Sequence, residues 1–203
     1  MTRNALIASI VVMILNVGSV NADPPTLPAG TYRMDRAHSS LTWKVDHLGL
    51  SSFTARFAKF DATLDIDPAK PQSARLAVTV DPTSVRTDYP FTESSDFDKD
   101  LGEGEGFFNG RKFALITFSS TRVDRTGATS ASVTGNLTLL GVTKPVTIYV
   151  TLNGAKQHPM AQAPALGFSG VATFKRSDFG MTHMLEIAGD EVTLLIEAEF
   201  IKS

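Results

Sequence analysis

An all-β fold, an antiparallel barrel or sandwich of about eight or nine strands with one short helix, is predicted by three features of the chain. Apolar and polar residues alternate with a period of two through most of the sequence after Gly30. Turn signals at Asp67-Pro68, Asp81-Pro82, Gly127, Gly141 and Gly154 punctuate the alternation. No strand–helix–strand repeat accompanies them, so a parallel sheet is not indicated.

The elements follow in chain order. Residues 1–22 read as a secretory signal peptide: Arg3 gives a positive start, Ala5 to Val17 an apolar core, and Val20-Asn21-Ala22 the small residues of a cleavage site after Ala22. That apolar run is too short to span a bilayer, and no later segment has the roughly 20 apolar residues a membrane helix needs. The expectation is an exported, periplasmic protein. Residues 23–29, with Pro24, Pro25 and Pro28, form a Pro-rich lead-in. Residues 30–203 form one β domain.

Strands are predicted at Thr31–Asp35 and Ser39–His47, where Leu41, Trp43, Val45 and His47 share one face. In Ser51–Asp67 the apolar register changes from Phe53, Ala55 and Phe57 to Phe60, Ala62, Leu64 and Ile66. A β-bulge near Ala58–Lys59 would keep both halves pointing inward and bend the strand around a barrel. Arg75–Asp81, Leu115–Asp124, Ser132–Leu140, Val146–Asn153, Leu166–Lys175 and Val192–Phe200 complete the set. Ser94 or Ser95 caps a short helix reaching Leu101. The connection holding Pro159 and Pro164 is long enough to be mobile.

Composition narrows the function. The 203 residues carry a formal net charge of −2, which argues against a nucleic-acid binder. No cysteine is present, so disulfides, thiolate metal sites and a Cys nucleophile are excluded. Thirteen Phe stand against three Tyr and one Trp, giving a greasy interior with few polar handles.

Chemical motifs are weak. Asp96, Asp98 and Asp100 open like a calcium loop, but Leu101 and Phe107 stand where its Gly and Glu belong. Gly167-Phe168-Ser169-Gly170 lacks the closing Gly of a nucleophile elbow. The histidines His38, His47, His158 and His183 show no zincin spacing, which leaves only a site assembled from His38, His47 and His183 in space. His38 orders a turn through Asp35. His47 is either a buried imidazole with a backbone or carboxylate partner, or a polar contact inside an apolar cavity. A binding role is expected over catalysis, with no cofactor and no metal. The competing readings are a barrel enzyme acting on a small hydrophobic substrate through His47, and a solid-cored envelope interaction module.

One set of residues narrows the ligand. Tyr32, Asp35, His38-Ser39, Trp43 and His47 are followed by Phe57, Phe60 and Phe107-Phe108. Then come Gly135-Asn136-Leu137-Thr138-Leu139-Leu140-Gly141-Val142-Thr143-Lys144-Pro145-Val146 and Arg176-Ser177-Asp178-Phe179-Gly180. Together they resemble the YceI-like family of bacterial periplasmic polyisoprenoid-binding proteins. The resemblance implies a lipocalin-like antiparallel β-barrel of about eight strands whose apolar channel holds a long isoprenoid. A polyprenyl phenol or isoprenoid quinone is the kind of ligand it implies. It also implies a homodimer, transient membrane contact and no established catalysis. The expected lining is Trp43, Val45, Phe53, Phe57, Phe60, Phe107, Phe108, Phe118, Leu137, Leu139, Phe168, Phe174 and Phe179, with His47 as a polar contact. Lys44, His47, Arg176 or Asp178 would meet a head group at the mouth.

Overall fold

The computed structural model describes residues 27–203. The predicted signal peptide and the first residues of the lead-in lie outside them. Strands β1 (Gly30–Met34) and β2 (Ser40–His47) lie end to end along the long β11 (Ala188–Lys202). Next to them β3 (Ser51–Phe57) pairs with β2, and β4 (Phe60–Ile66) with β1. Strands β5 (Arg75–Val80) and β6 (Val85–Arg86) make the third position, on β4 and β3 respectively. Then β7 (Ile116–Arg125), β8 (Ser130–Leu139), β9 (Val142–Gln157) and β10 (Pro164–Lys175) follow in order to β11. Counting each broken strand once, the chain closes an eight-stranded antiparallel up-and-down barrel. Closure comes from β11, which pairs with β10 on one side and with β1 and β2 on the other.

The period of two sets the wall. Leu41, Trp43 and Val45 are buried, and the intervening Thr42 and Lys44 face outward. Charges such as Arg56, Asp61 and Glu197 stand exposed on the outside, the reverse of a lipid-facing barrel.

The register change predicted in Ser51–Asp67 is real, but its form differs. Ala58 and Lys59 separate two strands instead of bulging within one. The turn Pro82–Ser84 fills the gap: Ala58 N–H donates to Ser84 O at 2.9 Å and Lys59 N–H to Ser84 Oγ at 2.9 Å. Phe57 thereby pairs with Leu41 and Phe60 with Val80, and both keep to the interior.

Strand β9 runs well beyond the predicted Val146–Asn153. Pro145 breaks no ladder, because β9 pairs with β8 from Val142 to Thr151 and with β10 only from Ile148 onward. The proline therefore sits where one side of the strand is an edge. The connection to β10 shrinks accordingly and is pinned rather than loose. His158 N–H donates to Ala163 O at 2.8 Å, and Ala161 N–H to His158 Nδ1 at 3.0 Å.

Helix α1 (Phe97–Glu103) crosses the barrel end between β6 and β7. Its cap is Asp96, which accepts from Lys99 N–H at 3.1 Å, and not Ser94 or Ser95. Ser95 instead donates to Asp100 at 2.9 Å, and Asp98 accepts from Thr87 Oγ1 at 2.6 Å. The three aspartates of the calcium-like run are thus used as cap and latches. Gly102 lets α1 press on the Pro82–Ser84 turn, since a Cβ there would stand 3.0 Å from Thr83 Cα.

Candidate ligand channel

The inward faces do not fill the barrel. A cavity of about 740 Å³ runs from the α1 end, at His47, Tyr89 and His183, to the far end, at Pro68, Arg125 and Ser130. That is the size range of a small-molecule site. Three clusters of buried apolar residues form its wall.

Thirteen of the fourteen expected lining residues are there: Trp43, Val45, His47, Phe53, Phe57, Phe60, Phe107, Phe108, Phe118, Leu137, Leu139, Phe168 and Phe174. Phe179 is not. It is 1% exposed and lies behind Phe174, ring centroids 5.4 Å apart, because Arg176–Phe179 winds into a tight turn that tucks its ring beneath the wall. The wall also contains Leu64, Leu76, Ile148, Leu194 and Ile196, which the emphasis on Phe passed over. Their signal was the same alternation that located the strands.

Aromatic rings form a continuous run along one side. Phe57 meets Phe108 at 5.2 Å, Phe108 meets Trp43 at 6.0 Å, and Trp43 meets Phe53 at 6.0 Å. Phe53 then meets Phe97 at 6.0 Å and Phe97 meets Tyr89 at 5.1 Å, mostly in tilted or edge-on pairs. Trp43 Nε1 is the one buried side-chain polar atom without a partner among the described residues.

The polar residues behave differently from expectation. His47 ends β2, where the strand emerges at the mouth, so it is exposed instead of buried and has no side-chain hydrogen-bond partner among the described residues. Lys44 points outward on β2, and Asp178 stands on the outer wall beside Lys175 and Glu191. Arg176 is buried, 5% exposed, and engaged through all three side-chain nitrogens. Nε donates to Gly189 O at 2.9 Å, Nη2 to Ala188 O at 2.6 Å, and Nη1 to His183 O at 2.8 Å and Met181 O at 3.1 Å. Burial lowers its pKa from the ordinary arginine range, with the Asp190 charge opposing. Burial pushes the Asp190 carboxyl up, but Ser177 N–H and O–H and the nearby Lys175 and Arg176 charges outweigh this and hold it low. Arg176 is a strap for the β10–β11 connection, not a free cation for a head group.

Among the described residues, the catalytic groupings weighed from the sequence are not brought together. No carboxylate lines the channel among the described residues, so His47 has no acid or base partner there. Ser169 Oγ lies outside, donating to Glu197 at 2.6 Å and accepting from Asn153 at 2.8 Å. His38, His47 and His183 are not brought together. Among the described residues the metal-like grouping is Asp35, His158 and Glu199. His158 Nδ1 already accepts the Ala161 N–H, which puts the ring proton on Nε2 and leaves no lone pair for an ion.

The fold is shared with known proteins. The YceI-like domain model matches residues 32–200. The chain belongs to the YceI-like family. A UPF0312 protein of Shewanella baltica is 37% identical over 188 residues, covering 92% of this chain and 95% of its own. A UPF0312 protein of Pseudomonas aeruginosa is 39% identical over 176 residues, covering 86% and 88%. Among solved structures, Burkholderia cenocepacia BcnA superposes with a TM-score of 0.69 at 25% identity, covering 82% of this chain and 98% of its own. A polyisoprenoid binding domain from Saccharophagus degradans has the same fold, with a TM-score of 0.60 at 14% identity over 87% of this chain and 100% of its own.

Proposed function

We propose that this YceI-like protein is an exported binding protein that carries or sequesters a long-chain polyisoprenoid lipid in its barrel channel. The observation that carries the reading is the end-to-end apolar cavity of about 740 Å³, whose buried Arg176 is spent on backbone carbonyls. Such a wall rewards methylene and methyl groups, and its buried Arg176 guanidinium is already paired, which makes the interior a poor match for a charged phosphate. A neutral head of the polyprenyl phenol or isoprenoid quinone type fits best. The polyisoprenoid binding domain of Saccharophagus degradans, which shares the fold, supports the same ligand class. The signal-peptide pattern of residues 1–22 supports a periplasmic location, and the family resemblance supports a homodimer. Binding, with no chemical step, is the function we assign. A solid-cored interaction module is disfavoured by the hollow interior.

Each buried methylene contributes roughly 0.8 kcal/mol, so one isoprene unit contributes about 3 to 4. Summed over a long tail this would pass the roughly 18–21 kcal/mol ceiling of non-covalent affinity, so ordering of the tail offsets much of it. Titration with geraniol, farnesol and geranylgeraniol, read by the fluorescence of Trp43, tests the proposal. Affinity should climb with chain length and then level off. Affinity indifferent to length would rule the channel out as the binding site.

A further inference from the structure

We infer that the α1 end of the barrel is a membrane-contact platform that rests on an uncharged or zwitterionic bilayer surface and loads the channel directly from it. The inference builds on the reading of the channel as a lipid site. Of ten large hydrophobic side chains exposed among the described residues, five stand on three loops at this end. Leu48 and Leu50, 53% and 84% exposed, tip the β2–β3 loop; Phe91 lies on the segment before α1; Met184 and Ile187 lie on the β10–β11 connection. The loops are neighbours. Leu48 N–H donates to Ile187 O at 2.9 Å, and Phe97 packs on Phe53 at the start of β3.

Continuity with the channel identifies the occupant. Met184 and Ile187 are both exposed outside and part of the channel wall. Phe91, 63% exposed, meets Tyr89 at 5.5 Å, and Tyr89 begins the run of rings that descends through Phe97, Phe53 and Trp43. An apolar tail leaving a bilayer here would meet no polar gap before the interior. Leu48 and Met184 moreover hold left-handed backbone at φ of 58° and 56°, which costs a large side chain energy and keeps both at loop tips. The tips of three separate loops suit a plane, not a groove for one helix.

Charge selects the lipid. The three loops, residues 46–52, 87–96 and 182–187, carry Asp46, Asp88, Glu93, Asp96 and Glu186 and no Lys or Arg. Basic clusters attract anionic leaflets, and this acidic collar does the opposite. The platform therefore suits phosphatidylcholine or phosphatidylethanolamine better than phosphatidylglycerol.

Flotation of the protein with phosphatidylcholine vesicles, with and without phosphatidylglycerol, is the test. The wild type should float with the vesicles, and added phosphatidylglycerol should reduce the bound fraction. A Leu50→Asp/Phe91→Asp variant should lose about tenfold or more in vesicle affinity. It should also take up geranylgeraniol from vesicles correspondingly more slowly, while binding geranylgeraniol in solution as the wild type does. Leu50→Ser/Phe91→Ser, milder at the same exposed positions, should shift both readouts in the same direction. Binding that rises with phosphatidylglycerol, or variants that float like the wild type, would overturn the inference. So would a wild-type dimer that the variants lose without any flotation, which would assign the face to a second copy. If the wild type binds no geranylgeraniol in solution, the channel reading has failed, and flotation still decides the platform.

Discussion

The ring of Phe118 occupies the space that a side chain at Gly135 would need. A Cβ on Gly135 would stand 2.8 Å from Phe118 Cε2 and 2.6 Å from Ser119 O. Gly135 opens the Gly-Asn-Leu-Thr-Leu block and sits inward on β8, where Ser120 of β7 pairs with it. The glycine thus lets a channel-wall phenylalanine lie flat against the strand. Gly135→Ala should destabilise the fold by about 1–3 kcal/mol, because Ser119 O is backbone and cannot move away. It should also push Phe118 toward the channel and weaken geranylgeraniol binding. Denaturant unfolding and Trp43 fluorescence check the two effects, and an unchanged unfolding midpoint would contradict the packing account.

Arg176 should matter for stability more than for ligand charge. Arg176→Ala leaves the carbonyls of Met181, His183, Ala188 and Gly189 without their donor. A loss of about 3 kcal/mol or more is expected in denaturant unfolding. Arg176→Lys should recover only a small part, since a point ammonium cannot span four acceptors as the planar guanidinium does. Faster amide exchange across 181–189 should accompany both changes. Recovery of full stability in the lysine variant would show that charge, not the fork of donors, holds the connection.

The turn between β1 and β2 carries a pH-dependent pair. Asp35 Oδ2 lies 2.8 Å from His38 Nδ1. The hydrogen bond from His38 lowers the Asp35 pKa below 3.8, and the same bond and the Asp35 charge raise the His38 pKa above 6.5. A raised histidine stabilises the fold fully below 6.5 and loses that effect as pH rises through the folded value. A lowered carboxylate stabilises above 3.8 and loses it as pH falls through its folded value. The stability difference between wild type and His38→Ala should therefore be largest between those two values and shrink as pH rises through the raised His38 value. Melting temperatures across that range measure it, and a difference that grows with rising pH would contradict the pairing.

Much of this architecture was legible in the residues. Alternation at Leu41, Trp43 and Val45 located strands, and the register change between Phe57 and Phe60 located the break that bends the wall. Other features depended on the assembled barrel. Pro145 obscured the extent of β9, because only the stagger of β8 against β10 reveals that its missing N–H lies on an unpaired side. Asp96 and Ser95 look equally able to cap a helix until the first turn of α1 is placed at Phe97. Phe174 and Phe179 look equivalent by composition, yet the turn at Arg176 puts one in the channel and the other behind it. His47 followed the inward pattern of its strand to the point where that strand ends. Alternation records which face a residue takes and not how deep along the barrel it sits.

The most direct test is organic extraction of the protein, purified without detergent from cells that make it, followed by mass spectrometry. One long-chain polyisoprenoid lipid series is expected at about one molecule per barrel, lost on Phe57→Asp while the barrel stays folded. A folded wild-type protein that yields no lipid, or a Phe57→Asp variant that keeps its full load, would contradict it.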